Sequence, residues 1–502
     1  MKTKPTNLLI VLLIGVCLPV LPALAISQTS PVADTPSTVP RKLTVSAMQA
    51  DFDLLRKALE EAHGGLYRFS TRAEMNKRFD AYRKRIEGIN NQHAFIALLC
   101  ELLATTRDGH MRLEYDPATI TSLVQSRLFP LRVSIEDAGL MVLFNDSRGD
   151  SSICPGMEIV DINGHKAGEL VKRMLSCISG DGFVETGKKR RLERGFAAYY
   201  WLLVDQSMEF SITARDSTGK VIVVKLPGVL NAERENNRNN NVVNAVARMN
   251  VSSLDGAKDN ISFRFMQDPA IAYLRIRSFD TENFQAPVDS IFRILHMQKT
   301  KALILDLRGN GGGIDMHGAY LVSQFTNKPF RYFDRIRLKT IQPSFTSFKA
   351  STLDDLRNGV VADPNGGYLV TAKLHNGVSE QQPAKFPFSG MVYVLLDGGT
   401  FSTAADVAAA LWNVTTSSFI GEESGGTYEG NTSGLNAQVK LPNSQLSLKI
   451  HMYEYWNAGQ ATEKGVGIRP DHAVEKRMAD VLQGIDKPMN RAVELAMAKL
   501  NK

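Results

Sequence analysis

Two short apolar runs late in the chain set the pattern from which the rest can be read. Residues 391–396 (MVYVLL) are continuously apolar and rich in Val and Leu, which predicts a strand buried on both faces. Asp397, Gly398, Gly399 and Thr400 break that run. From Thr403 the period changes, and Ala404, Val407, Ala408 and Leu411 fall at i, i+3, i+4 and i+7, the apolar face of a helix. Residues 301–307 (KALILDL) predict a second buried strand, which runs into RGNGGG at 308–313 before a helix expected from Asp315. Ser402 falls where its helix begins, beside backbone N–H groups that lack helical partners. A nucleophile could stand there, its oxyanion held by first-turn amides; equally, serine is a preferred N-cap and need do no more than that.

Ahead of these strands the pattern is first helical, then alternating. Residues 51–63 are amphipathic, 72–89 are charged and helix-favouring, and Phe95, Leu98, Leu99, Leu102 and Leu103 make a helical stripe, so 45–124 is expected to be a helical scaffold. Asp108 and Gly109 stop the last of these helices, and a strand is expected to open at His110, with Met111, Leu113 and Tyr115 on its apolar face and His110 on its polar one. Residues 125–230 predict a β-rich module, in which Asn163 and Gly164 signal a hairpin and a helix follows from Ala167. The Asn-rich tract within 231–260 reads as a mobile link. Beyond it, 261–502 alternates strands and helices as an α/β layered core. Within that core, 340–388 is expected to be an insertion near the cleft, Leu446 to Met452 a late alternating strand, and 476–500 a closing helix.

Composition narrows the class. The chain has 502 residues, 43% hydrophobic and 22% charged, which suits a soluble protein of two or three domains. A net charge of +7 would admit nucleic acid, but the basic residues are scattered and not interleaved with aromatics, so no nucleic-acid partner is expected. Lys2 and Lys4, an apolar run to Leu18, and Ala23-Leu24-Ala25 follow the order of a secretory signal over 1–25, with a Ser/Thr/Pro-rich linker over 26–44. The apolar run is too short to span a bilayer, and the expected location is periplasmic or extracellular. Cleavage would leave Cys100, Cys154 and Cys177, of which Cys154 with Cys177 is the pairing to test.

The glycines of 308–313 let a ligand approach the backbone, yet they are neither a dinucleotide fingerprint nor a Walker loop. DLRGNGGG at 306–313 is similar to the D-L-R-x-N-x-G-G of the C-terminal processing (tail-specific) peptidases and the tricorn core protease. FSTAAD at 401–406 resembles that family's nucleophile turn, and Gly421-Glu422, Gly425-Gly426, Gly465-Val466 and Pro470-Asp471 follow in the family's order. The resemblance covers roughly residues 45 to 480. It implies a serine peptidase core resembling the ClpP/crotonase type and identifies 125–230 as a PDZ-like module, which could bind peptide ends or only brace the site.

The resemblance also distributes roles. Ser402 would be the nucleophile, with Thr403 and Gly312 or Gly313 donating to the oxyanion. A lysine serves as base in the processing-peptidase branch, but Thr427 stands at that position here, which favours the tricorn-like arrangement with His110 as base and Glu463 as the supporting carboxylate. The tricorn pattern has a serine directly before the histidine, where this chain has Gly109. His451 and Glu423 are rival partners. The expectation is an exported serine endopeptidase acting on protein or peptide substrates, with no metal or cofactor implied. A retinoid-carrier-like binding protein of the same fold with a silent site is the alternative, and an acyl hydrolase a more distant one.

Overall fold

The computed structural model describes residues 43–137, 139–255, 259–459 and 463–501. The expected leader, 1–25, and most of the linker after it lie outside the described residues. The chain starts with three helices, α1 (Val45–Ala62), α2 (Arg72–Arg85) and α3 (Gln92–Ala104). Each is started by a side chain that takes up an orphan amide: Thr44 for α1, a Thr71–Glu74 capping box for α2, Asn91 for α3. The α3 stripe expected from the sequence is buried.

Behind α3 the backbone folds into a turn. The Asp108 carboxylate accepts the His110 N–H at 2.7 Å, which keeps His110 out of the strand expected to begin there. Only Leu113–Glu114 pairs, antiparallel, with Leu448 and Ser447 of the long strand Ser447–Asn457. That short ladder ties the start of the chain to the end of the core. Helix α4 (Pro117–Gln125) follows.

The β-rich module is a six-stranded antiparallel sheet whose main path runs Leu131–Glu136, Gly139–Asn145, Glu158–Ile162, Glu209–Arg215, Val221–Pro227. Two helices accompany it, α5 (Ala167–Leu175) and α6 (Thr186–Leu203). The hairpin signal was well placed: Asn163 and Gly164 both have positive φ, 51° and 82°, as a two-residue turn with the twist of its strands requires. The Asn-rich tract, expected to be a mobile link, instead forms α7 (Arg234–Asn240) and α8 (Ala245–Asp255). Its polar residues are spent inward. Arg234 and Arg238 are buried against Asp146 at 2.9 and 2.8 Å, and Asn244 exchanges hydrogen bonds with the Asn145 backbone.

The α/β core is a six-stranded sheet in the order Ile261–Phe265, Ile271–Ile276, Ala302–Asp306, Met391–Leu396, Ser418–Gly421, His472–Ala473, parallel after its first pair. The same part of the chain carries α9 (Gln285–Met297), α10 (Asp315–Ser323), α11 (Ala350–Gly359), α12 (Thr403–Val414), α13 (Met478–Leu482) and α14 (Lys487–Leu500). Alternate side chains divide the sheet. Leu303, Leu305, Val392 and Val394 face the main core, while Ala302, Ile304, Tyr393 and Leu395 face Met489, Ala492 and Ala496 of α14. With both faces covered, the strands read as unbroken apolar runs. The closing helix expected over 476–500 is in fact two, divided at Gly484, whose φ of +70° no helix interior accepts.

Residues 340–388 supply α11 and the strands Val360–Ala362 and Tyr368–Val370, which extend the sheet built on Ser447–Asn457. The three described cysteines are free thiols. Cys177 lies near Cys100 rather than in a bond with Cys154, and burial pushes the Cys100 thiol up to about 12. No helix among the described residues is long and apolar enough to cross a membrane.

Candidate active site

Met391–Leu396 and Ala302–Asp306 are neighbouring parallel strands, and the loops leaving their carboxyl ends meet. This is where open α/β sheets present ligands. The glycine loop is held rigidly. Arg308 bridges Asp306 and Asp486, Asn310 donates to the Ile276 carbonyl at 2.9 Å, and the Asn310 carbonyl accepts the Phe401 N–H at 2.9 Å.

Ser402 stands on that scaffold at φ 54° and ψ −132°, a conformation costly for any residue with a side chain, on the order of 1–3 kcal/mol. Its hydroxyl makes no capping bond to α12, so the N-cap alternative does not describe it. Opposite, Gly312 has φ +102°, and a Cβ there would come within 2.7 Å of the Ser402 Cβ. Only glycine lets the two loops touch.

The Ser402 Oγ lies 3.1 Å from His110 Nε2. The imidazole packs between the rings of Phe401 and His451, at 4.6 and 5.6 Å between centroids. Its Nδ1 is buried without a hydrogen bond and faces Asp108 Oδ1 at 3.7 Å. Asp108 is buried and also meets His63 Nε2 at 3.0 Å. Burial opposes its ionisation, but the His110 backbone N–H, the close His63 ring and the charge of the two imidazoles outweigh that and hold the carboxyl well below the usual carboxylate range. A second buried carboxylate, Asp181, accepts the Gly109 N–H at 2.6 Å. Burial, seconded by the charge of Asp108, raises it to about 6.

The other expected residues divide. Glu463 does not join this group: its side chain is 57% exposed and pairs with Arg469 at 2.8 Å, so the carboxylate facing the imidazole is Asp108. Glu423 accepts the Gly467 N–H at 2.9 Å and braces that loop. His451 lies beside His110, and its burial lowers it to about 4, leaving a neutral ring. Thr427, where a lysine would serve, is buried and donates to the Gly430 carbonyl at 2.5 Å. Among the oxyanion candidates, the Gly312 N–H is already given to Asn310 Oδ1 at 2.9 Å. The amides of Gly313 and Thr403 have no acceptor among the described residues, and the Thr403 hydroxyl donates to the Gly313 carbonyl at 2.9 Å, coupling the two.

Asp108, His63 and Asp181 were not singled out from sequence. Asp108 stood in plain view two places before His110, but its composition signal was that of a helix stop. His63 closes an amphipathic helix, and Asp181 sits in a Ser-Gly-Asp-Gly stretch that signals only a turn. Asp108, His110 and Asp181 place ligand-type atoms within 4.8 Å of one another, the one such group among the described residues, but both carboxylates are already engaged by backbone amides.

A hydroxyl held out on a forced turn, an imidazole in contact with it and unspent amides beside it make up the chemistry of a serine-type hydrolase. Residues 270–474 match the model of peptidase family S41, and together with the chemistry of the site this match supports a serine-type peptidase. Among solved structures, mature CPAF is similar in fold at 13% identity, with a TM-score of 0.61 over 90% of this chain and 97% of that one. Mature CPAF complexed with lactacystin matches equally, at 13% identity and TM-score 0.61 over 90% and 98%. The tricorn protease is more distant, at 13% identity and TM-score 0.39 over 91% of this chain and 37% of that one. No curated protein matches the sequence.

Proposed function

We propose that the chain is an exported serine endopeptidase in which Ser402 is the nucleophile, His110 the base and Asp108 the carboxylate that supports it. The observation that carries this reading is the 3.1 Å contact between His110 Nε2 and a serine hydroxyl held in a strained turn. For Nε2 to accept the hydroxyl proton, the imidazole's own proton must sit on Nδ1, the nitrogen that faces Asp108. Ser402 Oγ then attacks the scissile carbonyl as its proton passes to His110. The resulting oxyanion is held by the N–H groups of Thr403 and Gly313. His110 returns the proton to the leaving amine, and water, deprotonated by the same imidazole, hydrolyses the acyl ester on Ser402. Export rests on the signal-like order of residues 1–25.

A fluorophosphonate probe tests the reading. Wild-type protein should be labelled and should cleave an unstructured protein such as casein, while Ser402→Ala and His110→Ala should do neither. Equal labelling of wild type and Ser402→Ala would remove Ser402 from its role. Lactacystin, seen bound to the similar mature CPAF, offers a second probe that should protect Ser402 from labelling.

A further inference from the structure

The turn that carries His110 is gripped from outside the core and outside the helical scaffold. Gly109 donates its N–H to Asp181 Oδ1 at 2.6 Å, and its carbonyl accepts from Arg191 Nη2 at 2.9 Å. Two residues earlier, the Arg107 carbonyl accepts the Gly182 N–H at 3.0 Å, and the Arg107 guanidinium returns a bond to the Gly182 carbonyl at 3.2 Å. Asp181, Gly182 and Arg191 all belong to the β-rich module, in and just after the link between α5 and α6.

We infer that Asp181 and Arg191 are positioning residues, which fix His110 against Ser402 by holding Gly109 at both of its backbone polar groups. Three observations support this. First, the slot has no slack: a Cβ on Gly109 would lie 2.7 Å from the Phe401 ring and 2.9 Å from Asp181 Oδ1. Second, Arg191 is anchored at its other end, donating from Nη1 to the Ser179 carbonyl at 2.7 Å, and its guanidinium lies 5.8 Å from the Phe401 ring, which itself packs on His110. Third, Asp181 is 2% exposed, and its Oδ2 has no hydrogen-bond partner. A buried carboxylate half satisfied is costly, and such groups persist where they serve a site. Asp181 is oriented toward the His110–Asp108 group, within 4.8 Å. The peptidase site is thus assembled from three parts of the chain: the nucleophile from the core, the base from the scaffold, and the grip on the base from the module.

This inference rests on His110 acting as the base, and the experiment separates the two. Asp181→Ala, Asp181→Asn and Arg191→Ala are made in the full chain, with Ser402→Ala as reference, and kcat and KM are measured on a fluorogenic unstructured substrate. Misplacing a catalytic group by about 1 Å costs on the order of 10²-fold. Asp181→Ala and Arg191→Ala should therefore lower kcat about 10- to 100-fold at unchanged KM. Asparagine keeps an oxygen for the Gly109 N–H, so Asp181→Asn should exceed Asp181→Ala by about tenfold. Circular dichroism identifies any variant that fails to fold; should Asp181→Ala do so, Arg191→Ala carries the decision. Wild-type kcat in a folded alanine variant, or an asparagine variant no better than alanine, overturns the inference while leaving Ser402 in place. Undiminished cleavage by Ser402→Ala would instead overturn the underlying reading.

Discussion

Asp108→Asn is the most informative single change, because it removes a charge while keeping the shape. The amide oxygen can still accept the His110 N–H, which Asp108 now takes at 2.7 Å, so the turn is retained. What disappears is the negative charge 3.7 Å from His110 Nδ1. That charge matters little while the imidazole is neutral and a good deal once it has taken the serine proton. At that separation and an effective dielectric of about 20, the attraction is about 4 kcal/mol, which translates into a loss of roughly 10³-fold in kcat. KM should change little, because the interaction is gained in the transition state and not on binding. The assay is steady-state cleavage of a fluorogenic unstructured peptide, alongside the rate of fluorophosphonate labelling, with thermal unfolding to verify the fold. A folded Asp108→Asn enzyme with wild-type kcat would refute the assignment of Asp108 as the supporting carboxylate.

Further expectations follow from the same geometry. Glu463→Gln touches only an exposed pair with Arg469, so cleavage should stay within about twofold of wild type, as surface pairs of this kind contribute little; a hundredfold loss in kcat would return Glu463 to the site. Gly312→Ala forces a Cβ to 2.7 Å from that of Ser402 at a φ of +102°, and should abolish fluorophosphonate labelling even where circular dichroism shows a folded chain. Asp181 has its folded pKa raised from 3.8 to about 6, so the native state holds a proton that the unfolded chain has released, and stability from this group falls as pH rises between about 4 and 6. Asp181→Asn cannot release that proton. Its melting temperature relative to wild type should therefore climb across the same window and level off above it; a difference independent of pH would show that Asp181 is not the titrating group.

Much of the core was legible because its strands are covered on both faces and announce themselves as unbroken apolar runs. The strand–turn–helix order around Ser402 and the glycine loop opposite were read correctly for that reason, and the α3 stripe and the Asn163-Gly164 hairpin for the same local causes. What could not be read were relations between distant side chains. Asp108 looked like punctuation at a helix end, since nothing local says that its carboxylate will reach both His63 and the His110 turn. Glu463 matched a motif position, yet an exposed arginine took its charge. The Asn-rich tract looked unable to fold because composition counts polar atoms without saying whether they find partners; Asp146 supplies one for Arg234 and Arg238, and the Asn145 backbone another for Asn244.

Nucleophile and base stand 292 positions apart, and the base is drawn to its place by the pairing of Leu113 and Glu114 with Leu448 and Ser447. In the order of synthesis the reactive serine therefore precedes the strand on which the imidazole's segment pairs. Assembly order is its own safety catch: the reactive pair can close only once the strand Ser447–Asn457 has been made, in about the last tenth of the chain. A fragment ending at residue 440 should accordingly remain inert toward fluorophosphonate, and brisk labelling of that fragment would contradict the reasoning.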